Sequence, residues 1–163
     1  MKKFLFTAAA IVCAVLMTVN LTSCGKEDNE PLGAIYSIES KINEETHSAS
    51  ANPDAMAQAD ATYQALHSEF MSILAIEPWT VNFDKNNQNE VLNREDQNAK
   101  KKFDDMIAKV NAFKVKLDNL DKTQPKNQFN WNFSADVTTK RSGYNIDKTI
   151  ATQKVTINYG GNN

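Results

Sequence analysis

The chain has 163 residues, of which 41% are hydrophobic, and its 18 basic and 20 acidic side chains give a net charge of −2. A weakly acidic chain has no general affinity for phosphate backbones, so nucleic acid is excluded as a partner. The two cysteines are Cys13 and Cys24, which leaves the rest of the chain without a thiol for a disulfide or a thiolate metal site.

The N-terminus has the three-part layout of a secretory leader. Met1-Lys2-Lys3 is cationic, residues 4–19 are almost entirely apolar, and the segment then becomes polar without a charged stop-transfer flank. The apolar run is shorter than the ~20 residues that a helix needs to cross the hydrocarbon layer. The pattern predicts a signal peptide over residues 1–23 that is removed, rather than a retained membrane span.

Leu21-Thr22-Ser23-Cys24 closes this leader. The segment resembles the lipobox of bacterial lipoproteins, in which a Leu three places before the Cys and small residues next to it are recognised by a dedicated signal peptidase. The resemblance implies cleavage before Cys24, a diacylglyceryl thioether on its sulfur, and an acyl group such as palmitate on the new amino terminus. Because each buried methylene contributes about 0.8 kcal/mol, two or three chains would make this attachment effectively permanent.

A small acidic run, Gly25 to Glu30, follows the cysteine. It is similar to the export tag that sends lipoproteins of some Gram-negative gut anaerobes across the outer membrane, but it also fits a solvated spacer. We therefore expect a lipid-anchored protein of the outer membrane that faces either the periplasm or the exterior. Residues 24–33 are predicted to be a flexible tether, and residues 34–163 a single α+β domain.

Three helices are predicted from the spacing of apolar residues. Ile35, Ile38 and Ile42 recur at helical steps and predict a short helix over 34–47. Asn52-Pro53 predicts the start of a second helix over 53–77. The third helix is predicted over 88–121, where an unbroken heptad stripe indicates a seam that packs against the second helix in an antiparallel hairpin. The stripe consists of Ala99, Phe103, Met106, Val110, Phe113, Leu117 and Leu120.

Alternating apolar and polar residues predict strands over 79–83, 128–139 and 150–159. A two-stranded hairpin is only marginally stable in water. We therefore expect the last two strands to pack on one end of the helical hairpin, with 79–83 as a third strand. The predicted fold class is α+β, with an antiparallel helical hairpin, a short N-terminal helix and a small antiparallel C-terminal sheet.

Residues with catalytic or metal-binding potential are few. Glu44 and His47 have the helical spacing found in di-iron carboxylate bundles, but the matching position before His67 is Gln64. The sequence has no Gly-x-Ser-x-Gly elbow and no Gly-rich phosphate loop. No catalytic residue, metal or cofactor is predicted.

The aromatic residues have two possible roles. Trp79, Trp131 and Tyr159 could form a stacking platform for sugars, but alternation places Trp131 on the same face as Phe129 and Phe133, which favours a core position. Tyr36 and Tyr144 lie off the apolar stripes and are the better candidates for surface contacts.

Together these observations predict a lipid-anchored envelope protein that acts as a non-catalytic binding or structural module. Its partner would be the membrane through Cys24, together with another envelope protein or a second copy of the chain. One alternative is a surface carbohydrate-handling enzyme or accessory, which would need two acids from different elements, such as Glu77 and Asp136, about 5 to 10 Å apart. A further alternative is an envelope chaperone, since a helical hairpin on a β base is similar to the layout of periplasmic holdases.

Overall fold

The computed structural model describes residues 32–49, 53–123, 129–143 and 145–160. The fold in these ranges is α+β, with two helices and four strands in one antiparallel sheet of order β2-β1-β3-β4. The elements are β1 (Leu32–Ala49), α1 (Pro53–Leu74), β2 (Ile76–Phe83), α2 (Gln88–Thr123), β3 (Phe129–Ser142) and β4 (Lys148–Tyr159). The predicted signal peptide and the predicted tether up to Pro31 lie outside the described residues.

The helix predicted over 34–47 is wrong, because this segment forms the strand β1. Ala34, Tyr36 and Ile38 are buried at every second position, which is the period of a strand. A bulge between Ile42 and Glu44 then shifts the pairing with β3 by one residue. Beyond this bulge odd-numbered residues face the helices, so no single period runs through the strand.

The other two predicted helices are present, with α1 ending at Leu74 and α2 ending at Thr123. The helices contact each other through the rings of Phe70 and Phe113, whose centroids are 5.2 Å apart, and through an ion pair between Glu69 and Lys116. Leu66 lies in the same groove as Leu120, whereas Ile73, one turn beyond Phe70, shares a groove with Met106. The two helices therefore run antiparallel.

The apolar stripe of α2 is buried as predicted from Ala99 to Leu117. It does not form a seam with α1 alone, because most of it packs on the sheet. Phe113, for example, contacts Phe70 on α1 and Trp131 on β3. A heptad stripe shows which face of a helix is covered, but the covering surface is set by the rest of the fold.

The strand β3 lies at the centre of the sheet and its apolar residues form the floor of the core. Phe129, Trp131, Phe133, Ala135 and Val137 are all at most 2% exposed. The last two predicted strands are extended relative to the prediction, β3 to Ser142 and β4 back to Lys148. The predicted third strand is the second half of β2, which pairs with β1 rather than with the C-terminal hairpin. The sheet is therefore larger than a C-terminal hairpin.

Gly160, directly after β4, has a φ of +72°. A Cβ at this position would lie 2.1 Å from the carbonyl oxygen of Phe129. We expect Gly160→Ala to lower the free energy of unfolding by about 1–3 kcal/mol, because backbone strain and this contact act together. Urea unfolding followed by circular dichroism measures the change. The matched control is Gly33→Ala, whose nearest contact would be the side chain of Asn82 at 3.3 Å, and which should change stability by less than about 1 kcal/mol.

Candidate functional site

Asp96, in the first third of α2, is a carboxylate that is only 8% exposed. Its Oδ1 accepts hydrogen bonds from the Tyr36 hydroxyl at 3.0 Å and from Nη1 of Arg141 at 2.8 Å. Its Oδ2 accepts from Nζ of Lys148 at 2.8 Å. These residues form the Asp96 cluster, in which one carboxylate joins α2 to β1, β3 and β4.

The sheet register explains how the Asp96 cluster assembles. Tyr36 lies opposite Arg141, and Arg141 lies opposite Lys148, so the three side chains form one row across the sheet. The pKa of Tyr36 is raised to about 12, chiefly by burial; the hydrogen bond with Arg141 opposes this rise and the hydrogen bond to Asp96 adds to it. The phenol therefore stays protonated and donates to the carboxylate. The cluster therefore links α2 to three strands of the sheet through one carboxylate.

Tyr36 is consequently not a surface contact, and the prediction that placed it there is wrong. Its side chain is 0% exposed and stacks on Trp79 with ring centroids 5.5 Å apart. The alternation of Ala34, Tyr36 and Ile38 indicates that Tyr36 is buried on a strand. The helical spacing of Ile35, Ile38 and Ile42 obscured this alternation. Tyr144 lies outside the described residues.

The variant Tyr36→Phe tests this assignment. Removing the hydroxyl deletes a buried hydrogen bond to a charged acceptor, for which we expect a loss of about 1.5–3 kcal/mol in the free energy of unfolding. Chemical denaturation at pH 7 measures this loss. An unchanged denaturation midpoint would contradict the role given to the hydroxyl, since the ring itself is retained.

A second cluster lies at the opposite end of the sheet, where α1 covers the end of β1. It contains both histidines of the sequence, and we call it the histidine cluster: His47 and Glu45 on β1, with Asp60, Tyr63 and His67 on α1. The imidazole of His47 stacks on the ring of Tyr63, with centroids 3.7 Å apart and planes 6° from parallel. Glu45 Oε1 lies 2.9 Å from Nε2 of His67 and accepts a hydrogen bond from the Tyr63 hydroxyl at 3.3 Å.

Two groups in the histidine cluster have a displaced pKa. Burial lowers the pKa of His47, although the carboxylates of Asp60 and Glu45 oppose that effect in part. Burial also raises the pKa of Tyr63, and the neighbouring carboxylate of Glu45 adds to this rise. The neutral forms of both rings are therefore favoured where they stack.

The predicted helical pairing of Glu44 with His47 does not exist, because both residues lie on a strand. His47 lies opposite Trp131, whose side chain is on the face of the sheet that the helices cover. Glu44 lies opposite Ser134, next to the buried Phe133, and so does not belong to the same row of side chains. Within the described ranges there is no group of three or more His, Cys, Asp or Glu side chains that could hold a metal ion. His67 is on a helix face, as predicted, but it packs near Trp131 rather than pointing away from the fold.

A groove of about 560 Å³ lies where α1 ends and β2 begins, with an apolar base that includes Ile73, Ile76 and Met106. Two acids, Glu69 and Asp105, line it. Glu69 is paired with Lys116, which lies eleven residues beyond Asp105 on α2, or about 16 Å along the helix axis. The ion pair therefore turns the carboxylate of Glu69, one of the two acids of the groove, toward Lys116.

The pair Glu77 and Asp136, which the carbohydrate-handling alternative requires to be close, is separated by the fold. Glu77 is on β2 and Asp136 on β3, and β1 lies between these strands. Asp136 lies opposite Lys41, whereas Ile76 lies opposite Ile38, so the two acids are also displaced along the strands. At about 4.8 Å between strands and 3.3 Å per residue, their Cα atoms are about 15 Å apart.

Of the aromatic residues considered as a sugar platform, Trp131 and Tyr159 are cross-strand neighbours in the core, whereas Trp79 lies on β2. Trp131 is 0% exposed and Tyr159 is 8% exposed. Trp79 is partly buried, and Nζ of Lys102 lies 4.0 Å from its ring centroid. None of these three rings offers an open face of the kind that sugar stacking requires.

The face of the sheet opposite the helices is polar. Cross-strand side-chain hydrogen bonds join Asn130 to Ser48 and Asn132 to Thr46. Further along, Asn43 donates to Asp136 at 2.8 Å. This face, which we call the open face, is the broadest uncovered surface that regular strands provide in the described part of the chain. Sequence alternation predicted its polar character on β3 and β4, but not the contribution of β1.

Comparisons with known protein families, curated proteins and solved structures found no match. Neither helix in the described ranges is long and apolar enough to span a membrane.

Proposed function

We propose that this protein is a lipid-anchored lipoprotein of the cell envelope, attached to the outer membrane, whose α+β body acts as a non-catalytic binding or structural module. The observation that carries the proposal is the order of a secretory leader, the lipobox residues 21–24 and a polar segment before the first strand. Two or three acyl chains on Cys24 would hold the module at the bilayer.

The fold supports a non-catalytic role through the way its polar groups are used. Asp96 is saturated by three donors within the protein, and Glu45 is engaged by Tyr63 and His67. These are the arrangements of polar groups that hold helices on a sheet. A catalytic site, in contrast, leaves at least one activated group facing a cleft.

The partner is proposed to be another envelope protein or a second copy of this chain, bound through the open face. Chemical crosslinking of intact cells that express the full-length protein tests this proposal. Wild type should give discrete adducts, and a double variant on the open face, Asn132→Lys with Thr156→Lys, should lose them. The matched control is Lys109→Glu on the helical side. Adducts that are equally abundant in all three proteins would contradict binding through the open face.

Protease treatment of intact cells distinguishes the two membrane orientations. Cleavage of the body in intact cells would place it outside, in agreement with the export-tag reading of residues 25–30. Protection until the outer membrane is permeabilised would place it in the periplasm. Fractionation of the same cells tests the attachment itself, and recovery of wild type in the soluble fraction would contradict it.

A further inference from the structure

The two histidines of the chain are twenty residues apart in sequence, yet the ring centroids of both lie within 5.6 Å of that of Tyr63. We propose that the histidine cluster is an acid-sensitive latch, which holds the first half of α1, up to His67, over the aromatic end of the sheet and releases it when His47 is protonated. The latch is a property of the folded body and does not depend on how the protein is anchored.

The surroundings of His47 favour the neutral form of its imidazole. Its Nε2 is buried and has no hydrogen-bond partner among the described residues. The nearest carboxylate oxygen, Oδ1 of Asp60, is 3.9 Å away, which is beyond hydrogen-bond distance. The imidazole stacks on the ring of Tyr63 from α1, and its centroid is 6.1 Å from that of the Phe129 ring on β3. Protonation would place a charge in this partly dry site without an acceptor at bonding distance.

Four titratable groups surround His47: Glu45 beside it on β1, and Asp60, Tyr63 and His67 on α1. The two carboxylates favour the protonated ring, whereas burial and a protonated His67 oppose it, and burial is the largest of these effects. The pKa of His47 is therefore lowered in the closed state. Because an exposed histidine titrates near 6.5, the contribution of neutral His47 to the closed state is complete above that pH and is lost as the pH falls below it.

The response should be local because the two halves of α1 are held differently. The second half is anchored by Phe70 and Leu74, which are 0% and 4% exposed. Beside the first half, an open groove of about 360 Å³ separates α1 from α2, and Ala61 and Ala65 are among its lining residues. Among the described side chains of the first half, Ala59 and Leu66 are buried, at 0% and 6% exposed. Opening therefore exposes one large aliphatic side chain, Leu66, besides the ring of Tyr63, which keeps its cost below that of global unfolding.

Opening would uncover an aromatic surface. Phe129 and Trp131 are 2% and 0% exposed in the closed state, and Tyr63 packs against both rings. Displacement of the first half of α1 removes Tyr63 from these rings. An acidic environment would thus convert a closed polar end of the protein into an exposed aromatic one.

Hydrogen–deuterium exchange of the full-length protein, purified in mild detergent, tests the latch. Exchange is compared at pH 7.5 and pH 5.0 after correction for intrinsic rates, and pH 5.0 keeps exposed carboxylates largely ionised. We expect residues 57–67 to lose protection at pH 5.0, while residues 103–117 of α2 retain it. Equal protection of 57–67 at both pH values, or an equal loss throughout α2, would overturn the proposal.

Two variants show whether His47 is the sensor. His47→Phe keeps a ring against Tyr63 but cannot be protonated, so residues 57–67 should remain protected at pH 5.0. The matched control His67→Gln keeps a hydrogen-bond donor near Glu45, and its acid response should persist. If His47→Phe does not fold, His47→Gln is measured in the same way. Persistence of the acid response in the folded His47 variant, or its loss in His67→Gln alone, would exclude His47 as the sensor.

Discussion

Asp96→Ala is expected to lower the free energy of unfolding by about 3–5 kcal/mol, a large part of the stability of an ordinary domain. The variant removes the acceptor of three donors at once. The guanidinium of Arg141 contributes most to this loss, because its side chain is only 12% exposed and would lose its carboxylate, keeping only the hydrogen bond from its Nε to the carbonyl oxygen of Ile146. The measurement is urea unfolding at pH 7, with helix and aromatic signals followed separately.

The control for this variant is Glu39→Ala. Glu39 pairs with Lys140 at 2.8 Å on the same sheet, but both side chains are at least 40% exposed. A surface pair of this kind contributes at most about 1 kcal/mol. In the double variant Asp96→Ala with Arg141→Met, part of the lost stability should return, because no buried charge then remains unpaired. Similar losses for Asp96→Ala and Glu39→Ala would show that burial of the Asp96 cluster contributes little.

Cys24→Ser is expected to abolish lipid attachment entirely. A hydroxyl cannot form the thioether that the lipobox resemblance implies, and the dedicated peptidase then has no lipidated substrate to cleave. Cells supplied with an alkyne analogue of palmitate should label wild type but not the variant. The variant should also keep its leader and migrate as the larger precursor.

Ser23→Ala is the matched control for the anchor, because Ala is frequent beside the cysteine in the motif that residues 21–24 resemble. Labelling and processing should equal those of wild type. Equal labelling of wild type and Cys24→Ser would place the acyl group elsewhere, and the position of the anchor would then have to be abandoned.

Local sequence patterns were sufficient to identify the buried residues of a helix or strand that has one face in the core and the other in water. The strict alternation around Trp131 on β3 and the heptad stripe of α2 identified buried residues because each segment has one face in the core and the other in water. These patterns do not show what covers the apolar face. The sheet occupies that position for α2, and only the long-range pairing of β1 with β3 creates a sheet large enough to do so.

The alternation of Ala34, Tyr36 and Ile38 indicates a strand only in the first part of β1, because the burial of its residues changes farther along. Ile42 is 37% exposed although it belongs to the row that faces the helices, and polar residues such as Glu45 and His47 follow in that row. The bulge at Ile42 and Glu44 also breaks the period of two. The apolar area that stabilises this half of β1 comes from Trp131 and Phe133 on the neighbouring strand.

The Asp96 cluster and the histidine cluster could not be predicted from the sequence, because their residues meet only through long-range pairing. Asp96 is 60 residues from Tyr36 and 45 residues from Arg141, and the three meet only through the sheet register and the position of α2. His47 and His67 were each recognised as chemically notable. Their common neighbour, Tyr63, could be identified only once β1 was known to be a strand.

Intact mass spectrometry of the native polypeptide, purified from membranes of the bacterium that expresses it, is the decisive test of the proposed lipid anchor. We expect a chain that begins at residue 24, with a mass increased by a diacylglyceryl group on the sulfur and an acyl group on the amino terminus. A chain that carries a free thiol at Cys24, or one that still contains residues 1–23, would contradict it.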